Sequence, residues 1–323
     1  MYSKIILPIA RFLVSVVGFN EKKHLTRSFS RLPSNDGLGL VDVGAAGGIE
    51  KRWQAVTEDL NYYGFEPDER SFKKLQSHKI AKSSVIYPFA LWSVEKKLEV
   101  LLTRDPQCSS VYAPNRPFLD KFPVPDRFDV IDKFVCNAKR LDQIEIKGPH
   151  FIKMDIQGGE LEVLKGAGDM LRRNLGMEIE VEFLEMYKSQ PLFGELVDYL
   201  DKFDLEFIDF VGIRRWLRNE HSNSGHCVFA DALFLKSPET ISSDSYSQDE
   251  KINYLKILLI YQRFDLIDKF LELADEPTRK SLEKFVTVIE PLRKNFNRVN
   301  KLNNFVMIVY RFFGVNFKSH VIY

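Results

Sequence analysis

The chain has 323 residues, 45% of them hydrophobic and 28% charged, which is enough apolar material for a sizeable core and excludes a disordered polypeptide. A formal net charge of +1 gives no electrostatic argument for a nucleic-acid partner. The three cysteines, Cys108, Cys136 and Cys227, are odd in number and form no C-x-x-C pair, so a disulfide framework and a structural zinc site are disfavoured and a reducing, cytoplasmic setting is expected.

Residues 1–37 read as an N-terminal helical extension. Within "MYSKIILPIARFLVSVVGFN", Pro8 and Arg11 interrupt the apolar run, which leaves too little length to cross a bilayer, and no A-x-A cleavage pattern follows. From residue 38 to 238, strand-like and helix-like runs alternate, the pattern of a largely parallel sheet with helices on both faces. "LVDVG" is the first strand and "GIEKRWQAVTEDL" the helix expected after it. "NYYGFEPD" is a second strand ending in Glu66, with Asp68 placed to cap the helix "ERSFKKLQSHK". "SVIYPFALW" reads as a third strand, and "LEVLLT" and "DKFVCNAKRL" flank a long loop at residues 105–126. "HFIKMDI" is a buried strand, "GELEVLKGAGDMLRR" a helix, and "MEIEVEF" a strand with acids on one face. The helix "PLFGELVDYLDKF" leads to "LEFIDFVGI" and "GHCVFADALFLK", an expected antiparallel pair that closes the sheet. The Ser-rich stretch "SPETISSDSYSQDE" marks a boundary, and residues 239–323 read as a linker and C-terminal helical region. Two short amphipathic helices are expected in "KINYLKILLIYQRFDLIDKFLELAD" and a third in "TRKSLEKFVTVIEPLRK".

The turn after the first strand holds Gly44, Gly47 and Gly48, and Glu66 follows Gly44 by 22 residues at the end of the next strand. In an open α/β sheet both positions open onto the crevice outside the carboxyl ends of the strands, where an acid can accept hydrogen bonds from ribose hydroxyls. A dinucleotide fingerprint requires G-x-G-x-x-G, but Ala46 stands at the second glycine position and Asp42 precedes the turn. A carboxylate repels a pyrophosphate and suits a cationic amino acid, so S-adenosylmethionine, with its ammonium and sulfonium, fits the turn better than NAD.

Taken together, "VDVGAAGG", "RW", "GFEPD", "CSSVY", "RLDQI", "FIKMDIQGGELEVLKGA", "EVEF" and "ADALF" resemble the FkbM-type family of S-adenosylmethionine-dependent methyltransferases over roughly residues 38 to 236. The resemblance implies a Rossmann-like, seven-stranded α/β methyltransferase sheet with a reversed last hairpin, here with a C-terminal helical extension, and O-methylation of sugars or related products. It also implies that Asp42, Gly44, Ala45 and Gly48 contact the methionine end of the cofactor, that Glu66 takes the ribose, and that Ala90 and Leu91 border adenine. "FALWS" lacks the acid that many relatives outside the family present to the adenine amine, so backbone groups would serve there.

Methyl transfer to a hydroxyl requires alignment of oxygen, carbon and sulfur, and a base to take the hydroxyl proton adds about 100-fold to 10,000-fold. Asp155, at the end of "HFIKMDI", is the first candidate for that base, against the alternative of a helix cap. Glu182 and His226 are further catalytic candidates, and His221 is a weaker one. Lys153 and Gln157 are placed to orient neighbours, and Cys108, Ser109 and Ser110 to shape the acceptor pocket. Asp155, Glu182 and a histidine have the chemistry for a divalent cation, but no tight ligand spacing supports one, and metal stays unassigned. The expected activity is S-adenosylmethionine-dependent O-methylation of a saccharide or glycosylated, lipid-linked acceptor. A catalytically inert methyltransferase-like binding module and a nucleotide-sugar or NAD-using enzyme are the alternatives. Lys4 and Arg11 near one end, and Arg293, Lys294, Arg298, Lys301, Arg311 and Lys318 around "FVMIVYRFFGVNF" near the other, suit peripheral contact with an anionic membrane. The competing expectation is that these ends pack on the catalytic domain or on a second copy of the chain.

Overall fold

The computed structural model describes residues 25–33, 36–77, 80–219 and 225–312. Among the described residues there are ten strands: β1 (Leu38–Val43), β2 (Leu60–Phe65), β3 (Ser83–Tyr87), β4 (Ala90–Leu91), β5 (Lys96–Thr103), β6 (Val130–Lys139), β7 (Phe151–Met154), β8 (Gly176–Glu182), β9 (Glu206–Trp216) and β10 (His226–Leu235). Seven of them form one sheet in the order β3-β2-β1-β7-β8-β10-β9. β1, β2, β3, β7 and β8 pair in parallel, whereas β10 runs antiparallel to both β8 and β9. This is the expected methyltransferase sheet with its reversed last hairpin.

Strand alternation gives the sheet two unlike faces. One face carries Val41, Val43, Ile152, Met154, Met177, Ile179, Val181, Ala230, Ala232 and Phe234, all buried in one core with Leu164 and Leu196 from the helices Glu160–Ala167 and Phe193–Leu200. The register then fixes what the opposite face presents. Asp42 pairs with Lys153, Lys153 with Glu178, and Glu180 with Asp231. Charged groups therefore stand side by side on a face that a purely structural sheet would make apolar.

Three local expectations are corrected. No α-helix follows β1; residues 45–59 form three short 3-10 turns instead. Within them the Trp53 indole is buried edge-on against Tyr261, at 6.1 Å between ring centroids, so a non-local partner takes the apolar side chain that suggested a helix. The expected third strand is cut in two. Pro88 has no N–H for a ladder, β3 stops at Tyr87, and β4 joins a second, three-stranded sheet in the order β4-β6-β5. The third correction concerns the helix Gln248–Ile260, started by a Ser247–Glu250 capping box, which is buried at every position from Lys251 to Ile260 rather than amphipathic. Its buried Lys251 is paired with Asp275 at 3.3 Å.

The chain divides into two compact units. Residues 37–50 and 57–237 form the sheet unit, which also contains β4-β6-β5. The described residues before Gly37, Lys51–Val56 and those from Pro238 onward form a helical unit that includes Gln248–Ile260, Phe264–Leu273, Glu276–Ser281 and Glu283–Phe312. The Ser-rich stretch itself contains a helical turn at Pro238–Ile241. Among the described residues no helix is long and apolar enough to cross a membrane. Residues 1–20 and 313–323, on which the expectation of membrane contact partly rests, lie outside the described residues.

Candidate active site

The turn after β1 has backbone demands that select glycine. Gly44 has φ +84°, its N–H donates to the Phe65 carbonyl at 3.1 Å, and a Cβ there would lie 2.2 Å from the Asp155 carbonyl oxygen. Ala45 is buried and accepts a 2.8 Å hydrogen bond from the N–H of Gly48, which has φ +70°. Beside Gly47 the space is open, with nothing within 4 Å of a built Cβ. Asp42 enters this turn buried. The Tyr62 hydroxyl donates to its Oδ2 at 2.7 Å, while Oδ1 has no hydrogen-bond partner and faces Lys153 Nζ at 3.9 Å. Burial pushes the Asp42 carboxyl above its usual range, with Lys153 and Tyr62 opposing.

Glu66 follows β2 directly. Its N–H donates to the Tyr87 carbonyl at 3.0 Å, and its Oε1 accepts from the Asp68 N–H at 2.8 Å. Burial drives this carboxyl up to about 7, opposed by the Asp68 N–H. Asp68 caps its helix as expected, accepting from the N–H groups of Arg70 at 2.8 Å and Ser71 at 3.3 Å. The Gly turn and Glu66 are thus locked to the ends of adjacent strands by backbone hydrogen bonds.

Asp155 extends β7, its N–H donating to the Val43 carbonyl at 3.1 Å. Its side chain is 41% exposed, accepts from Gln157 Nε2 at 3.0 Å through Oδ1, and lies 3.9 Å from Lys153 Nζ through Oδ2. Lys153 also stands 3.8 Å from Glu50. Burial lowers its pKa, but Asp42, Asp155, Glu50 and Glu178 outweigh that and hold the ammonium protonated. The neighbouring acids are closed off by comparison. Glu180 is buried, accepts from Gln157 Nε2, and is pushed well up by burial and then by Asp155. Glu182 is 1% exposed with no hydrogen-bond partner on either oxygen; burial, then Glu160 and Asp155, push it well up, with Gln190 opposing. Glu160, in the first turn of its helix, accepts from the Ile156 N–H at 2.9 Å and is also raised by burial. Asp231 is raised to about 6 by burial and then by Asp155, with Arg214, at 3.9 Å, opposing.

A family model, described as the methyltransferase FkbM domain, matches residues 42–207. The chain belongs to the FkbM methyltransferase family. Among solved structures, the methyltransferase FkbM from Methylobacillus flagellatus KT is 18% identical at a TM-score of 0.38, covering 63% of this chain. This chain spans only 44% of that protein. The precorrin-6y C5,15-methyltransferase from Geobacter metallireducens GS-15 is 14% identical (TM-score 0.31; 66% of this chain and 87% of that one). The magnesium protoporphyrin IX methyltransferase from Synechocystis PCC 6803, solved with bound SAM, is 9% identical (TM-score 0.33; 73% and 80%). No curated protein matches.

Within this FkbM domain the structure gathers Asp42, Gly44, Ala45, Gly48 and Glu66 around the ends of β1 and β2, with Asp155, Glu180 and Glu182 on the adjoining strand ends. It moves two expectations elsewhere. Ala90 and Leu91 do not end the third strand of the large sheet; they are β4, paired with Ala138 and Lys139. The third strand ends at Tyr87, whose ring stacks on Phe65 at 4.8 Å with Phe89 5.4 Å away, and these rings pack against the apolar core. His226 is exposed and packs edge-on against Phe122 at 5.5 Å. Because Phe229 pairs with Glu182, His226 lies three residues beyond the acids on β10. His221 lies outside the described residues. The Cys108 thiol is buried and pushed up to about 11, which makes it a packing group of the 105–126 segment. Among the described residues no group of three or more His, Cys, Asp or Glu is arranged to hold a metal ion. Sequence reasoning missed Asp231 and placed Glu180 only as one of the acids on a strand face; the motif "ADALF" held the first, but only the register with β8 shows that the two face one another.

Proposed function

We propose that the chain is an S-adenosylmethionine-dependent O-methyltransferase acting on a hydroxyl of a saccharide or glycosylated product. The observation that carries this reading is the pair of buried carboxylates, Asp42 and Glu66, on either side of a glycine turn with open space at Gly47. The residues fit the cofactor: Asp42 Oδ1, which accepts no hydrogen bond, suits an ammonium, and Glu66 suits a ribose diol. When bound, S-adenosylmethionine supplies an electrophilic methyl group on a sulfonium. Asp155 then accepts the proton of the acceptor hydroxyl, since it is the most open of the acids clustered there. Lys153 stands 3.9 Å from both Asp42 and Asp155, between the cofactor side and the acceptor side. Glu180 and Glu182, whose carboxyls burial pushes well up, limit the negative charge around the reacting oxygen. Three free cysteines accord with a cytoplasmic enzyme, and the basic, apolar chain ends with a lipid-linked acceptor presented at a membrane surface.

Calorimetry with S-adenosylmethionine tests the cofactor. Losing a hydrogen bond to a charged carboxylate costs about 1.5 to 3 kcal/mol, so Glu66→Ala should weaken binding roughly 10-fold to 150-fold. Unchanged affinity in the folded variant, or tight NAD binding by the parent, sinks the assignment. Transfer of labelled methyl from the cofactor to glycan and glycolipid extracts separates an enzyme from an inert binding module and identifies the acceptor class.

A further inference from the structure

Gln157 occupies a backbone position that favours glycine, with φ +59°, and is followed by Gly158 at φ +105°. A long polar side chain persists there, and every polar atom it offers is engaged. Its Nε2 donates to Asp155 Oδ1 at 3.0 Å and to Glu180 Oε1. Its Oε1 accepts from the buried Tyr187 hydroxyl at 2.9 Å, and that hydroxyl also lies 2.9 Å from the Cys108 carbonyl oxygen. The Gln157 carbonyl accepts from Ser110 Oγ at 2.6 Å, and Ser110 Oγ in turn accepts from the Tyr112 N–H at 3.0 Å. With the Asp155 carboxylate at 3.0 Å, the amide turns its NH2 toward that oxygen and its Oε1 toward Tyr187.

We propose that Gln157 is a positioning residue that aims the Asp155 carboxylate and, through Tyr187 and Ser110, makes that aim depend on residues 108–112 of the acceptor-side segment. This rests on the reading of Asp155 as the group that takes the acceptor proton. Its consequence is that an acceptor which shifts residues 108–112 shifts the base with them. Acceptor choice is then expressed in turnover and not in binding alone.

Asp155 is faced by Lys153 on its own strand, Asp42 on β1, Glu180 and Glu182 on β8, Asp231 on β10, Glu160 at the start of the next helix, and Tyr187. Gln157 donates directly to the Asp155 Oδ1 from its Nε2. The test follows the Asp155 carboxyl carbon resonance against pH in the full, ligand-free chain, assigned by its loss in Asp155→Asn. Gln157→Gly suits the left-handed backbone, and it removes a hydrogen-bond donor to the carboxylate, so the midpoint should rise relative to the parent. Tyr187→Phe retains the amide but frees its orientation, and should move the midpoint the same way by a smaller amount. S-adenosylmethionine affinity should stay within about threefold of the parent in Gln157→Gly, since a positioning residue leaves cofactor binding alone. A parental midpoint in folded Gln157→Gly overturns the positioning role, and one in Tyr187→Phe overturns the link to residues 108–112. A loss of cofactor affinity alone makes Gln157 a cofactor contact and also overturns it. A parent chain that fails to bind S-adenosylmethionine defeats the methyltransferase reading separately, because the titration needs no cofactor.

Discussion

Glu66 should reduce the stability of the cofactor-free chain above neutral pH, and Glu66→Gln should remove that penalty while weakening cofactor binding. The folded carboxyl is raised to about 7 from an ordinary 4.5 by burial. Because the folded state binds the proton more tightly than the unfolded one, stability is highest below pH 4.5 and is lost as the pH rises toward 7, after which the loss levels off. With those two values, linkage gives a penalty of about 0.8 kcal/mol at pH 5 and about 3.3 kcal/mol at pH 8, a difference of roughly 2.5 kcal/mol. The amide of Glu66→Gln keeps an oxygen for the Asp68 N–H and carries no charge, so it escapes this term. Urea unfolding followed by circular dichroism, parent against variant at both pH values, cancels every other titrating group. The variant should gain about 2.5 kcal/mol on the parent between pH 5 and pH 8. Equal differences at the two pH values would refute the argument that burial, unrelieved by a cation, sets the Glu66 proton affinity.

Asp155→Asn keeps the shape and removes the charge, so turnover of labelled cofactor onto an accepted glycan should fall by roughly 100-fold or more with little change in cofactor affinity; near-parental turnover would make Asp155 a structural residue. Gly44→Ala and Gly47→Ala should behave oppositely. The first sets a Cβ 2.2 Å from the Asp155 carbonyl oxygen and should destabilise by at least about 2 kcal/mol, whereas the second meets nothing, should melt like the parent, and should still bind S-adenosylmethionine more weakly if the cofactor fills that space. Flotation with anionic liposomes at low salt should carry the full-length chain upward and leave behind a chain truncated after residue 290; a full-length protein that ignores the vesicles refutes peripheral attachment.

The sheet was legible because β1, β7 and β8 are short apolar or alternating runs ended by turn signals, and the family motifs fall at their ends. What escaped was non-local. "GIEKRWQAVTEDL" spaces Trp53 and Val56 like a helix stripe, yet Trp53 is buried by Tyr261, more than 200 residues away in the chain. β5 and β6 read as separate strands because the segment between them hides their antiparallel pairing. In the site, Glu178, Glu180 and Glu182 alternate with apolar residues as in a half-solvated strand, but all seven positions of β8 are buried. No local pattern distinguishes a solvated acid from a buried protonated one, since burial is decided by what covers the face. The position of His226 was hidden for the same reason in reverse: its distance from the acids follows from the β10–β8 register, which the sequence around it does not encode.

The acids around Asp155 serve different ends according to what each can reach. Asp155 has an ammonium at 3.9 Å, an amide at 3.0 Å and access to solvent. Glu182 has neither an ammonium nor access to solvent, and ionising it would place a charge in a dry interior beside other carboxylates. Burial therefore favours the neutral forms of Glu182 and Glu180, which eases their repulsion with Asp155. The strand end exposes Asp155, while the acids around it are buried. The stability of the fold pays for this arrangement, because every acid with a raised pKa destabilises the folded chain as the pH climbs past its unfolded value. A face built only for packing would carry apolar side chains at these positions, as the opposite face of the same strands does with Met177, Ile179 and Val181. The contrast between the two faces of β8, residue by residue, is what marks this side of the sheet as chemical.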